Sequence, residues 1–194
     1  VIEINPKDAN AYLNIGFIKI LLDDYSGAIL NLDKSIEINP NNINAYLKRG
    51  NLKQKMNDYN GAISDFQKAL NLQPGNANHY KIIADLNFKL KNYLSAINYY
   101  DQAIKINPSD ANSFYNRGIL KFKLHDFSDA IKDYDNAIRI NPNFLEAYRN
   151  RAIANWQIGD ESASCDDQKK LIFFGDQKAK KWISSLPGAW CREM

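Results

Sequence analysis

Five prolines recur at one constant interval along the chain. The interval is 34 residues, and four of the five close an Ile-Asn-Pro sequence: Pro6, Pro40, Pro74, Pro108 and Pro142, of which Pro74 follows Leu-Gln. A fixed period of this length is typical of stacked repeats, in which each repeat buries its apolar face against its neighbours. The period predicts a repeat array, and it places function along a continuous surface rather than in an enzyme pocket.

Each repeat carries the signals of two helices. An Asp or Asn two residues after the proline can cap a helix, because its side-chain oxygen accepts an orphan backbone amide; these residues are Asp8, Asn42, Asn76 and Asp110. An amphipathic run follows, then a short polar break, then a second apolar-periodic run that the next proline ends. We call the two predicted helices of a repeat helix A and helix B.

The same signals predict the boundaries of the array. Four full repeats are followed by a fifth without a closing proline, then by an amphipathic segment suited to capping the array. The predicted segments are the tail of a truncated upstream repeat at 1–6, repeats at 7–40, 41–74, 75–108 and 109–142, a degenerate repeat at 143–176, a capping helix at 177–186 and a tail at 187–194.

Small and large residues alternate between the two helices. Helix A carries a small residue at one position, and helix B carries small residues a turn away from a large one, an arrangement that gives interlocking packing. The helix-A series is Gly16, Gly50, Ala84, Gly118 and Ala152, and the large helix-B series is Leu32, Phe66, Tyr100 and Tyr134. In period, order and residue size the chain resembles the tetratricopeptide repeat (TPR) family. The resemblance implies an all-α fold, a right-handed α-solenoid of antiparallel helix pairs.

Composition and chemistry favour neither catalysis nor binding to nucleic acid or membrane. The net charge is only +3, and no run of 18 apolar residues could span a bilayer. His79 and His125 have no nucleophile or metal ligand at useful spacing, so no enzyme activity, cofactor or metal is expected. Cys165 and Cys191 belong to no CxxC pair; unpaired thiols are favoured, although a disulfide is possible, and the cytoplasm is the favoured location.

Arginine and aspartate vary together inside the repeats. Arginine replaces the usual apolar residue before the helix-A small residue, and aspartate then stands sixteen residues later, at Arg49 with Asp65, Arg117 with Asp133 and Arg151 with Asp167. Where isoleucine holds the first position, at Ile15 and Ile83, the second holds Asn31 and Tyr99. A partly buried arginine needs a charged partner, so the pattern predicts an ion pair between helices A and B. The alternative is that these arginines bind an acidic ligand.

The TPR resemblance implies that helix A lines a concave groove. The implied groove positions are the second, fifth, sixth, ninth, twelfth and thirteenth of each helix A. Among them the partner-binding candidates are Asn44, Asn78, Lys81, Phe88, Asn112, Tyr115, Asn116, Phe122, Lys123, Arg149, Asn150 and Trp156. Asparagine suits an extended peptide because it both donates and accepts hydrogen bonds; in a first helical turn it can equally be a cap or a solvated residue.

The other groove candidates also have two interpretations. The aromatic residues could anchor a partner, or they could pack between neighbouring helices. The basic residues favour a partner with acidic residues, or they form a solvated face. The carboxylate clamp of chaperone-binding TPR proteins is not matched, since Asp85, Glu146 and Asn150 stand where Asn and two cations are needed.

The leading hypothesis is therefore a protein-interaction scaffold that holds a peptide or helix of a partner in its groove. The alternative is an oligomerisation or regulatory module of a larger protein, with a homo-oligomer formed through the apolar face of the first helix A at Leu13, Phe17, Ile20 and Leu21. RNA binding is a third hypothesis, and the low net charge argues against it.

Overall fold

The computed structural model describes residues 6–184 and residue 191, and these residues form helices without any β-strand. The helices are α1 Ala9–Leu21, α2 Tyr25–Ile38, α3 Ile43–Lys55, α4 Tyr59–Leu72, α5 Ala77–Lys89, α6 Tyr93–Ile106, α7 Ala111–Lys123, α8 Phe127–Ile140, α9 Leu145–Gln157, α10 Glu161–Phe173 and α11 Gln177–Ser184. None of these helices is long and apolar enough to cross a membrane.

The chain divides into two compact bodies. The N-terminal body, Val1–Asn92, contains α1 to α5, and the C-terminal body, Tyr93–Met194, contains α6 to α11. Within each body, consecutive helices joined by short turns pack against each other as antiparallel pairs, and each pair packs on the next. The predicted all-α fold of helix pairs is confirmed. The helices α1, α3, α5, α7 and α9 are the A helices of the repeats.

Two kinds of turn alternate along the repeats. A left-handed residue joins helix A to helix B, at Asp23, Asn57, Lys91 and His125, with φ between 57° and 63°. In contrast, the residue before the repeat proline is extended, as at Asn39 and Asn141, because proline disfavours a helical neighbour. The first kind of turn separates helix A from helix B within a repeat, and the second kind begins the next repeat.

Acidic and amide side chains begin most of the helices. Asp8, Asn42 and Asn76 cap α1, α3 and α5 as predicted, whereas the carboxylate of Asp110 accepts a hydrogen bond from Ser113 Oγ at 2.8 Å. A second set of aspartates caps the B helices, at Asp24, Asp58, Asp126 and Asp160. Both helices of a repeat therefore have a local sequence signal for their start.

The predicted small-to-large packing holds the pairs together. Gly118 in α7 and Gly50 in α3 are buried, and they face Tyr134 and Phe66 of the following helix. A Cβ atom added at Gly118 would lie 2.7 Å from Tyr134 Cε1. The absence of a side chain at Gly118 thus lets α7 and α8 approach closely.

The last helices depart from the repeat pattern. Without a closing proline, α10 ends in a left-handed Gly175 at φ 86°, the kind of turn that joins helix A to helix B elsewhere. Helix α11 follows at once, and its Ala179 is buried against Leu171 and Tyr148. Trp182 and Ile183 are half-buried, while Leu186 of the predicted capping helix lies outside the described residues.

Two sequence expectations need correction. Cys165 and Cys191 are not unpaired thiols: their sulfur atoms are bonded at 2.08 Å, and both residues are fully buried. The pairing depends on a contact between residues 26 positions apart, which no local spacing reveals. In the proposed apolar face of α1, Leu13 is buried in the core and Ile20 packs against it, so only Phe17 and Leu21 are exposed.

We predict that Gly118→Ala destabilises the protein. The added methyl must displace the Tyr134 ring, and overpacking of this kind costs about 1–3 kcal/mol, more than the ~1 kcal/mol that alanine gains in a helix. Urea unfolding measures the change. Gly75→Ala is the control, because a Cβ at Gly75 meets nothing within 4 Å; equal midpoints for Gly118→Ala and the wild type would contradict the prediction.

Candidate partner-binding face

The predicted ion pairs between helices A and B are confirmed. Arg117 donates from Nε to Asp133 Oδ2 at 2.9 Å and from Nη2 to Asp133 Oδ1 at 2.5 Å. The same bidentate geometry joins Arg49 to Asp65 and Arg151 to Asp167. The guanidinium groups are thus engaged inside the protein, which favours a structural role for them over the capture of an acidic ligand.

Each of these arginines also reaches back to the preceding repeat, a contact that the sequence prediction missed. Its Nη1 donates at 2.5 Å to an aspartate sixteen residues earlier, in the pairs Arg49 with Asp33, Arg117 with Asp101 and Arg151 with Asp135. The signal was present in the sequence, because Ile83 replaces the arginine in one repeat and Gln67, sixteen residues earlier in the preceding repeat, replaces this aspartate. One side chain therefore links three helices.

The aspartates hold the arginines in their charged form. Burial lowers the pKa of Arg117, but the hydrogen bonds to Asp133 and Asp101 and the attraction of both carboxylates outweigh it, so the pKa lies above its ordinary value. In two repeats a lysine completes the cluster: Lys53 Nζ lies 2.9 Å from Asp65 Oδ2, and Lys121 Nζ lies 2.9 Å from Asp133 Oδ2.

The candidate asparagines of α7 and α9 are anchored by tyrosines. Asn116 Nδ2 donates to Tyr100 Oη, and Asn150 Nδ2 donates to Tyr115 Oη, both at 3.1 Å. Burial raises the pKa of Tyr115, and Glu146 adds to the effect, so this hydroxyl stays neutral at physiological pH. The tyrosines fix the orientation of the amides on this side of the C-terminal body.

A cavity opens where α7 and α9 lie side by side. Its volume is about 220 Å³, and it is lined by Ile119, Phe122, Lys123, Tyr134, Asn150 and Ile153. Three of these residues, Phe122, Lys123 and Asn150, are predicted binding residues. Ile119 and Ile153 hold the ninth positions of their A helices, which the groove pattern included although neither residue was a candidate.

A smaller cavity continues along α9. It measures about 170 Å³ and is lined by Ala152, Ile153, Trp156, Ser164, Gln168 and Trp182. The candidate Trp156 meets Trp182 of α11 edge-on, with ring centroids 6.2 Å apart. Since Ile153 lines both cavities, they are neighbours on one face.

The remaining candidates differ in what they can offer a partner. Arg149 donates to Asp176, whose pKa is lowered by its backbone hydrogen bond from Ala179 and by Arg149, so the charge of Arg149 is partly balanced. Asn44, Asn78, Phe88 and Asn112 are exposed on α3, α5 and α7, and Lys81 is half-buried on α5. None of these five is among the described residues that line the two cavities.

Metal binding has no support in the described part of the chain. Within residues 6–184 and residue 191, no group of three or more His, Cys, Asp or Glu side chains is placed to hold a metal ion. The buried His79 has a lowered pKa because of its burial, and its Nδ1 has no hydrogen-bond partner.

The helix pairs and their 34-residue period define a helical-repeat protein. A family model described as tetratricopeptide repeat matches residues 43–76 and 111–144, and one described as TPR repeat matches residues 19–57 and 84–125. Together they cover more than half of the chain. The chain belongs to the tetratricopeptide repeat family.

Several solved structures are similar to this chain. A crystal structure of MamA protein is 26% identical, with a TM-score of 0.77, and the match covers 91% of this chain and 93% of that chain. A second MamA structure is 29% identical, with a TM-score of 0.76 and coverage of 86% and 97%. YrrB, described as a TPR protein with an unusual peptide-binding site, is 20% identical, with a TM-score of 0.76 and coverage of 90% and 91%. No curated protein matches the chain.

We predict that Arg117→Ile destabilises the protein by about 3 kcal/mol, because it leaves the Asp133 carboxylate, 2% exposed, without its main partner. The double variant Arg117→Ile/Asp133→Asn removes the buried charge as well, and it should recover at least half of the loss. Chemical denaturation of the single and double variants measures both effects. A double variant no more stable than Arg117→Ile would contradict this account of the pair.

Proposed function

We propose that this protein is a non-catalytic interaction scaffold that binds an extended segment or a helix of a partner protein across α7 and α9. The observation that carries the proposal is the cavity of about 220 Å³ on this face. Its lining combines apolar side chains with an amide and a cation, the composition expected of a site that takes one side chain and orients the backbone next to it.

The lining residues suggest how the partner is held. Ile119, Phe122 and Ile153 present apolar surface for an aliphatic or aromatic anchor. Asn150, oriented by Tyr115, can accept and donate hydrogen bonds to a peptide backbone. Lys123 stands at the same cavity and favours an acidic residue beside the anchor.

The relatives agree with an interaction role but do not identify the partner. YrrB is described as having a peptide-binding site. At 20% sequence identity, however, its similarity to this chain supports only a common fold. The proposal therefore depends on the lining of the cavity in this chain, and it extends to no particular pathway.

We predict that peptides selected on the wild-type protein from a phage-displayed random library bind Ile153→Glu at least about tenfold more weakly. A carboxylate at this position would bury a charge against the apolar anchor, and a loss of ~1.4 kcal/mol corresponds to tenfold. Fluorescence anisotropy with the synthetic peptides measures the affinities.

Ile106→Glu is the matched control. Ile106 is 41% exposed and Ile153 is 42% exposed, but Ile106 lines neither cavity. Selected peptides that bind Ile153→Glu as tightly as the wild type, or that lose equal affinity for both variants, would contradict the proposed site.

A further inference from the structure

A third cavity lies between α8, α9 and α10, and its charges are unbalanced. Its volume is about 370 Å³, and its lining is Ile131, Asp135, Arg151, Asn155, Asp160, Ala163, Asp166 and Asp167. Four carboxylates thus face one cation. Asp135 and Asp167 bind Arg151, and Asp160 accepts a hydrogen bond from the backbone of Ala163 at 3.0 Å.

The chain itself shows which group is absent. In the preceding repeat, the position equivalent to Asn155 is Lys121, and its ammonium lies 2.9 Å from Asp133 Oδ2. Lys53 makes the same contact to Asp65 in the N-terminal body, also at 2.9 Å. Arg151 binds Asp167 with the same bidentate geometry by which arginines bind Asp65 and Asp133. In this repeat, however, Asn155 stands where the other two have a lysine.

A second lysine of the preceding repeat is also replaced. Position 166 corresponds to Lys132 of α8, which lies 2.7 Å from Asp129, and here an aspartate stands in its place. Relative to the preceding repeat, the two substitutions remove two positive charges and add one negative charge, while Ala163 replaces Asp129 and removes one negative charge. The lining is therefore more negative by two charges. The cavity is therefore acidic through specific replacements at repeat positions rather than through general composition.

Asn155 contributes a side-chain amide to the lining of this cavity. Asn155 is 6% exposed and lines the cavity, and within the described residues its side chain forms no hydrogen bond. Asn87, the asparagine at the equivalent position of α5, donates instead to Ile83 O of its own helix at 2.8 Å. Since no such bond engages the side-chain amide of Asn155, its hydrogen-bonding capacity is open to a ligand in the cavity beside Asp167.

The surroundings of Asp167 agree with a missing cation. Burial raises the pKa of Asp167; Arg151 opposes this rise, and the neighbouring Asp135 and Asp166 add to it. The Arg151 side chain is 22% exposed, against 16% for Arg49 and Arg117. The space that the side chains of Lys53 and Lys121 cover in their repeats is open beside Asp167.

We propose that this cavity binds a primary ammonium group, supplied by a lysine side chain of a partner polypeptide or by a free polyamine. The ammonium occupies the position that Lys121 Nζ has in the preceding repeat, bound to Asp167 Oδ2 and to the side-chain oxygen of Asn155. A primary ammonium fits because its three N–H donors can serve several acceptors at once. The site involves α8 and α10 and is separate from the peptide-binding face proposed above.

The test is an NMR titration of the ¹⁵N-labelled protein at low ionic strength. The probes are Nα-acetyl-lysine-methylamide and spermidine, with tetramethylammonium as a cation of equal charge per nitrogen that cannot donate a hydrogen bond. We expect saturable shifts of the Asn155 side-chain amide with both ammonium probes, weakening as salt is added. A shift with only one of them would still support the site and would identify its source.

Two variants make the test specific. Asn155→Lys supplies the ammonium from the chain itself, as at Lys53 and Lys121, so the saturable shifts of nearby backbone amides should be lost while the fold is kept. Lys121→Asn should create a second site, with new saturable shifts of backbone amides around Asp133. Thermal unfolding confirms that both variants are folded.

The proposal has clear contrary outcomes. It is overturned if neither ammonium probe gives a saturable shift at Asn155, or if tetramethylammonium gives the same shifts, since that would show general screening of charge. It is also overturned if Asn155→Lys is folded and still shows the saturable shifts of the wild type. These outcomes do not bear on the proposed peptide-binding face, because the Ile153→Glu variant tests that face separately.

Discussion

The close approach of helix A to helix B in each pair is the constraint on which the rest of the structure depends. A Cβ atom added at Gly118 would lie 2.7 Å from the ring of Tyr134, and one added at Gly50 would lie 3.2 Å from the ring of Phe66. This contact fixes the register of the two helices, because a large residue can enter only where the opposite residue is small. Once the register is fixed, the side chain at every other position of the 34-residue repeat points in a defined direction. This holds for the arginines and for the exposed residues of α7 and α9.

The buried charges follow from that register. An arginine of helix A reaches the aspartate of its own helix B and the aspartate of the preceding helix B, so a single guanidinium connects three helices. A buried ion pair gains little net stability over an apolar pair, and the repeat with Ile83 and Tyr99 shows that the chain also uses residues without charge. Because the network is repeated, a change at one position is visible against the other copies. Asn155, in place of lysine, stands out for this reason.

Much of the fold and some of the site could be predicted from the sequence. The helix pairs, the caps at Asp8 and Asn42 and the pairing of Arg117 with Asp133 depend on local signals or on a fixed spacing, which the repeat displays several times. The groove pattern also included the ninth positions, where Ile119 and Ile153 line a cavity. The engagement of Arg149 by Asp176 and the bond between Cys165 and Cys191 were not predicted, since both occur in the degenerate C-terminal part, where no repeat supplies a comparison.

The sequence by itself determined the family, the helix pairs and the ion pairs between them, because a period of 34 residues imposes the same packing problem on every repeat. Only the tertiary structure decided which exposed residues share a cavity and which charges remain unbalanced. Cavities form between helices, and their lining depends on side chains from three elements at once, as with Asp135, Asn155 and Asp167. Such convergence has no single spacing in the sequence, so it becomes visible only when the helices are packed.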